Sequence, residues 1–180
     1  MKLTIRETTS ADKKTIYHVE KRAFGEVDEA ELAENLLADP TAQPALSLLA
    51  FVEEEPVGHI LFTKATLTNQ APLSIRILAP LAVVPEYQQQ GIGGQLIKAG
   101  LERLRKQQVD LVFVLGHISY YPKHGFKPAL PFGYHPPYPV EKGQEDAWML
   151  QALNPDFPIE RYPGSVRCSD VFMRPEYWRE

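Results

Sequence analysis

Residues 81 to 97 read LAVVPEYQQQGIGGQLI, an apolar run that leads through a turn rich in glutamine and glycine into a helix-like segment. The first backbone N–H groups of a helix have no partner within it, and the helix dipole adds positive charge there. Glycines at positions 91, 93 and 94 leave no side chain to hold a ligand away from those N–H groups. The stretch therefore predicts a backbone site for an anion such as a diphosphate.

Spacing separates this stretch from two other phosphate-binding motifs. A nucleotide P-loop requires a lysine directly after its second conserved glycine, and no lysine stands there. A dinucleotide fingerprint, Gly-x-Gly-x-x-Gly, would need glycine at position 96, where the chain has Leu96. The P-loop reading fails and the dinucleotide reading is weak.

The pattern that remains is Gln-x-x-Gly-x-Gly, preceded by the end of a strand and by Pro85. It resembles the acyl-CoA motif of the GNAT N-acetyltransferases. The segments VGHILF at 57–62 and YYPKHGF at 120–126 are similar to the YhbS-like branch of that family. The resemblance runs from the N-terminal strand to about Leu153.

This resemblance implies acetyl-CoA as cosubstrate, bound by the strand end and the turn. In the family that strand splays from the next parallel strand and leaves a V-shaped slot for the pantetheine arm, while the backbone amides of the turn hold the diphosphate. The implied cofactor-binding residues are Leu81, Ala82, Val83, Gln88, Gln89, Gln90, Gly91, Ile92, Gly93 and Gly94.

Tyr121 matches the tyrosine of the family's Tyr-x-x-x-Gly-Phe segment, whose hydroxyl is placed near the cofactor sulfur as general acid. A phenol with a reference pKa near 10 can protonate a departing thiolate while staying neutral itself at pH 7. The alternative is that Tyr121 only packs and hydrogen-bonds. Its neighbour Tyr120 is expected to fill a core position.

The general base is where the family pattern fails. Many members carry a glutamate on the strand before the motif, yet residues 69–85 include no Asp or Glu. The candidates left are a water chain, His117 after the LVFVL strand, and the acidic joint with Glu26, Asp28 and Glu29. The histidines lack metal-ligand spacing, so no metal site is expected.

Periodicity predicts the other elements. An N-terminal strand precedes a helix from about residue 11 with Ile16, Val19 and Phe24 at helical spacing, and a second helix ends at Asp39-Pro40. Strands are expected at 45–52, 57–68, 73–84, 109–115, 147–153 and 166–173. The fold class is therefore α/β of the α+β type, with a mixed, mainly antiparallel sheet flanked by helices and a parallel β-α-β crossover at the motif.

The whole chain of 180 residues is expected to form a single N-acetyltransferase domain, with an ordered proline-rich loop and C-terminal strands at about 128–180. A net charge of −4 without a basic stripe argues against nucleic acid as a partner. The short apolar runs and the single Cys168, expected to be structural, favour a cytoplasmic protein that does not engage a membrane. A homodimer is possible.

The sequence thus predicts transfer of an acetyl group from acetyl-CoA to a primary amine by direct attack in a ternary complex. The acceptor, a small molecule or a peptide, is left open. Two alternatives remain at this point: a non-catalytic acyl-CoA sensor, and a partner-binding module that presents its proline-rich segment.

Overall fold

The computed structural model describes residues 2–179. The α-helices are α1 Lys13–Phe24, α2 Asp28–Ala38 and α3 Ile92–Lys106. The strands are β1 Leu3–Glu7, β2 Leu46–Val52, β3 Glu55–Leu67, β4 Ile75–Val83, β5 Leu111–Leu115, β6 Lys127–Pro128, β7 Tyr134–His135, β8 Trp148–Ala152 and β9 Gly164–Cys168.

The strands form a sheet in the order β1-β2-β3-β4-β5-β8-β6, and β9 pairs with the far end of β3. Most neighbours are antiparallel, while β4 runs parallel to β5 and the two-residue β7 runs parallel to β9. The strand β4, helix α3 and strand β5 make the parallel crossover at the motif. The predicted fold class is confirmed.

Helices cover both faces of the sheet. On one face α1 places Glu20 against His59 of β3. On the other face α3 lies so close that a Cβ added at Gly100 would overlap the ring of Phe62. Because successive strand residues point to opposite faces, β3 contributes buried side chains to both layers.

The buried face of α3 follows its sequence period. Leu96, Ile97, Leu101 and Leu104 recur at helical spacing and are all buried. Glycine at position 58 of β3 meets the side chain of Leu96 directly. This packing fixes the start of α3 beside the end of β4.

A fork opens between β4 and β5. Their parallel pairing covers Ile75 to Ile77 on β4, after which β5 continues along β8 alone. In β4 a bulge follows, since the register with β3 passes from Phe62–Leu78 to Ile60–Leu81. A bulge bends the strand that carries it. The last residues of β4 therefore have β3 on one side and open space on the other, which matches the V-shaped slot implied by the family.

Two expectations from periodicity were wrong. Phe24 was expected on the apolar face of the first helix, but it is 42% exposed because it lies at the end of α1 before Gly25 turns the chain away. The last strand was expected over residues 166–173, yet β9 ends at Cys168 and residues 170–172 form a 3₁₀ turn. Cys168 itself is buried, and burial raises the pKa of its thiol, as a structural role requires.

The proline-rich segment is ordered and packed. Tyr134 is fully buried, and its carbonyl accepts a hydrogen bond from the Trp148 indole at 3.1 Å. The Tyr138 hydroxyl donates to the carbonyl of Met173 at 3.0 Å. These contacts anchor the segment to the sheet and to the C-terminal residues.

Candidate active site

A cleft of about 600 Å³ opens where α3 begins beside the end of β4. Its walls come from β4, the turn before α3, and the segment after β5. Thirteen residues line it: Leu81, Val83, Tyr87, Gln88, Gln89, Gly91, Ile92, Gly93, Gly94, His117, Tyr120, Tyr121 and His124.

The edge of β4 presents backbone groups to the fork. The N–H of Val84 donates to the carbonyl of Val57 in β3. Because consecutive peptide groups of a strand point to opposite sides, the N–H groups of Leu81 and Val83 then point away from β3. On that side, the end of β4 pairs with no strand among the described residues. These groups are suited to hydrogen-bond an extended amide-containing ligand.

The turn after β4 is held in a defined shape. The side-chain amide of Gln88 donates to the carbonyl of Val83 at 2.9 Å, which ties the turn to the strand end. Gln89 and Gly91 both adopt positive φ, at 61° and 83°. The hydrogen bond that opens α3 runs from the Gln95 N–H to the Gly91 carbonyl at 3.0 Å. The N–H groups ahead of that bond have no partner within the helix, and their residues line the cleft, so these groups can bind an anion.

The two glycines that follow are required by neighbouring aromatic rings. A Cβ at Gly93 would overlap the hydroxyl of Tyr120, and a Cβ at Gly94 would lie 2.7 Å from Cε1 of His124. Both rings line the cleft, with centroids 4.8 Å apart. The glycines therefore make room for the cleft wall as well as for a ligand.

Tyr121 is the more deeply buried of the two adjacent tyrosines. Its ring occupies the space that a Cβ at Gly116 would need, and it meets Phe126 edge-on at 5.7 Å. Burial, and secondarily the neighbouring Tyr120, raises the pKa of Tyr121 above its usual value. The phenol is thus a protonated donor at the cleft. The expectation that Tyr120 fills the core instead was wrong, because its hydroxyl reaches the start of α3.

Two histidines belong to the cleft wall. His117 is exposed, and its carbonyl accepts hydrogen bonds from the N–H groups of Tyr120 and Tyr121. Burial, and secondarily Lys123, lowers the pKa of His124. His117 follows β5 at the mouth of the fork, so the structure brings it to the same cleft as Tyr121.

Two residues expected at the site do not line the cleft. Ala82 is buried and pairs with His59, so its side chain points to the face covered by α1. Gln90 is exposed, and its side-chain amide donates to the carbonyl of Glu86 at 3.3 Å. Strand alternation explains the first case, and a local turn contact explains the second.

A buried polar chain behind β4 was missed by the sequence analysis. The Nδ1 of His59 lies 3.0 Å from Oε2 of Glu20, and its Nε2 lies 2.9 Å from Oγ of Ser47. Burial lowers the pKa of His59 to about 3, while burial and then Glu29 raise that of Glu20. The contact is therefore a hydrogen bond between neutral groups, since charge is disfavoured on both.

Glu29, one of the candidate bases, is half-buried in the first turn of α2. Its Oε2 is buried without a hydrogen-bond partner among the described residues. Burial, together with Glu26 and Asp28, raises its pKa. It interacts with Glu20 and is not part of the cleft wall.

Residues 2–179 lack two features that would bear on function. No group of three or more His, Cys, Asp or Glu side chains is placed to hold a metal ion. None of the helices in that range has the length and apolar character needed to cross a membrane.

Comparison with known proteins gives matches over most of the chain. Residues 13–126 match the acetyltransferase (GNAT) family. The chain is 49% identical over 170 residues to the N-acetyltransferase YjhQ of Escherichia coli K12, with 93% of this chain and 92% of that protein covered.

Two solved structures share the fold. The GNAT family N-acetyltransferase YhbS from Escherichia coli, in complex with CoA, superposes with a TM-score of 0.87 at 27% identity, covering 97% of this chain and 93% of that one. A GNAT family acetyltransferase from Brucella melitensis, in complex with acetyl-CoA, gives a TM-score of 0.73 at 28% identity, with 95% and 98% covered. The chain therefore belongs to the acetyltransferase (GNAT) family, in its YhbS-like branch, and is an acyltransferase.

Proposed function

We propose that the protein transfers an acetyl group from acetyl-CoA to a primary amine by direct attack in a ternary complex. The observation that carries this is a single cleft that combines a free strand edge, a helix N-terminus and a protonated tyrosine. Two relatives of the same fold were crystallised with CoA and with acetyl-CoA. These are the ligands for which such a cleft is suited.

Two sets of backbone groups would bind two parts of the cosubstrate, the pantetheine arm and the diphosphate. The N–H groups of Leu81 and Val83 would hydrogen-bond the pantetheine amides and steady the oxyanion of the tetrahedral intermediate. Amides of the turn and of the first turn of α3 would hold the diphosphate. A neighbouring cleft of about 370 Å³ shares Gly94 and His124 and is lined by Lys98 and Lys123. These ammonium groups would attract the phosphate group of CoA that is not part of the diphosphate.

The reaction exchanges two bonds. The amine nitrogen forms a bond to the acetyl carbon, and the bond from that carbon to the CoA sulfur breaks. The departing thiolate takes a proton from the Tyr121 hydroxyl, which burial keeps protonated. The amine gives up a proton to a base, for which His117 is the candidate within the cleft wall.

The base assignment is tested by the pH dependence of His117→Ala. The variant should lose rate at neutral pH and recover part of it at high pH, where the amine is already deprotonated. A profile that superimposes on the parent profile would remove His117 from the mechanism and leave a water chain as base.

The overall proposal is tested by an acceptor screen with acetyl-CoA, in which free thiol and acetylated amine are both measured. Equal amounts of the two products are expected with a genuine acceptor. Tight acetyl-CoA binding without thiol release on a broad amine panel would instead support a non-catalytic sensor. A partner-binding role for the proline-rich segment has no support here, because that segment is packed into the fold.

A further inference from the structure

A second cavity lies on the opposite side of the β4–β5 fork from the cofactor cleft. It has a volume of about 120 Å³. Residues 77–79 of β4 and Leu115 at the end of β5 form one wall. Phe172, Tyr177, Trp178 and Arg179 of the C-terminal segment form the other wall.

The two cavities lie along the same two strand ends and share no lining residue. Leu115 lies two residues before His117, and Ala79 lies two residues before Leu81. Two residues of chain span at most about 7 Å. A group seated in the small cavity would therefore have its end within reach of an acetyl thioester bound along the fork.

The C-terminal wall is held in place by long-range hydrogen bonds. The N–H of Val171 donates to Oδ2 of Asp39 at 3.2 Å, and the N–H of Asp170 donates to the Thr41 hydroxyl at 2.9 Å. Phe172 and Trp178 are buried, and the Trp178 indole donates to the carbonyl of Phe172 at 2.9 Å. The wall is thus a built part of the fold.

The lining sets the chemistry of an occupant. Its described members are mostly aliphatic or aromatic and contribute no carboxylate, while Arg179 places a positive charge at the edge. A second ammonium group would lose its hydration among these apolar side chains and would be repelled by Arg179. Cavities of about 150 Å³ lined by aliphatic and aromatic side chains hold a benzene-sized molecule. The volume here suits a group slightly smaller.

We propose that this cavity is the acceptor subsite and that the acceptor is a monoamine on a short, uncharged apolar stem. The inference rests on the proposed acetyl transfer and narrows its substrate class. The stem lies between the fork and the C-terminal aromatic residues, and the amine points through the fork toward the cofactor cleft. Polyamines and aminoglycoside-like amines are poor acceptors.

Calorimetric titration of CoA-saturated protein tests the subsite without relying on turnover. The probe is 3-methylbutylamine, whose stem fits the cavity, and the comparison ligand is spermidine. We expect 3-methylbutylamine to bind at least ten-fold more tightly than spermidine. Failure of 3-methylbutylamine to bind, or equal or tighter binding of spermidine, would overturn the proposal.

Variants locate the bound amine. Leu115→Phe and, independently, Ala79→Leu reduce the cavity and should weaken 3-methylbutylamine binding ten-fold or more while CoA affinity stays constant. Leu130→Phe makes the same change at a partly buried leucine outside the cavity and should have no effect. Unchanged amine affinity in both folded cavity variants would contradict the subsite. Binding of the amine without its acetylation would count against the transfer reaction alone.

Discussion

Two adjacent tyrosines line the cleft, and Tyr121 is the proposed general acid. Tyr121→Phe keeps the ring on Gly116 and deletes the hydroxyl, so folding and the KM for acetyl-CoA should change little. General acid catalysis contributes roughly 100- to 10,000-fold, and kcat should fall by about that factor. Steady-state kinetics on an identified acceptor measures this.

Tyr120→Phe provides the comparison, because its hydroxyl lies against Gly93 at the start of α3. The loss in kcat should be much smaller than for Tyr121→Phe. A larger loss in the Tyr120 variant would transfer the acid role to that residue. Full kcat in both variants would exclude a tyrosine acid.

The pH dependence of stability should reflect the buried pair of Glu20 and His59. His59 has a lowered pKa in the folded protein, so its contribution to stability is lost as pH falls below its unfolded value near 6.5. Glu20 has a raised pKa, so its contribution is present at low pH and is lost as pH rises through the folded value. Between about pH 4.5 and 6.5 the two effects oppose each other, and the parent protein should show little net slope from this pair.

Single substitutions should expose the two slopes. In Glu20→Gln only the contribution of His59 remains, and the free energy of unfolding should fall as pH drops from 6.5, by about 1.4 kcal/mol per pH unit at most. In His59→Gln the Glu20 term remains, and stability should rise as pH drops. Urea unfolding at several pH values measures both. Parallel curves for the two variants would contradict the opposite pKa shifts of Glu20 and His59.

At the level of elements, the start of α3 is built for close approach. Gly93→Val adds a branched side chain where even a Cβ meets the Tyr120 hydroxyl. The variant should crowd both that ring and a bound diphosphate. Acetyl-CoA affinity should fall tens-fold or more, on the order of a few kcal/mol. Calorimetric titration gives the affinity.

Gln95→Val is the matched control, because it places the same residue in the same turn of α3 on an exposed side chain outside the cleft. Its affinity should match the parent protein. Circular dichroism checks that both variants keep their helix content. Parent-like affinity in a folded Gly93→Val protein would place the diphosphate elsewhere.

On the scale of the whole molecule, Asp39 joins the end of α2 to the C-terminal segment. Its carboxylate accepts from the N–H of Thr41 at 2.8 Å and from that of Val171 at 3.2 Å. Asp39→Ala should lower the free energy of unfolding by about 1–3 kcal/mol. The substitution removes the N-cap of the 3₁₀ turn Pro40–Ala42 and the charge-assisted hydrogen bond from Val171. Urea denaturation measures the loss.

Asp39→Asn retains an acceptor oxygen and should recover part of that stability. The loosened C-terminal wall of Asp39→Ala should also raise the KM for the acceptor while leaving CoA affinity unchanged. Equal stability of the parent and Asp39→Ala proteins would show that the Asp39 contact to Val171 does not hold the C-terminal segment.

Local pattern was sufficient to predict most of the elements, and it predicts an anion site at the start of α3. The periods of helices and strands depend on neighbouring residues, and the glycines at the start of α3 indicate that a ligand can approach the backbone closely. For the same reason the sequence alone predicts a single turn over Gln88 to Gly94. Phe24 was misplaced because apolar spacing does not show where a helix ends against its neighbours.

What the sequence by itself determined is therefore the fold class and the family resemblance, and from that resemblance it predicts backbone contacts to the cofactor at Leu81, Val83 and the turn. Only the tertiary structure paired Glu20 with His59, 39 positions apart, and brought residues 170–179 over the end of β5. It also showed that Ala82 faces α1 and that Tyr120 reaches the start of α3. Such contacts depend on how elements pack, and a periodic pattern records only that a side chain is buried, not which distant residue it meets.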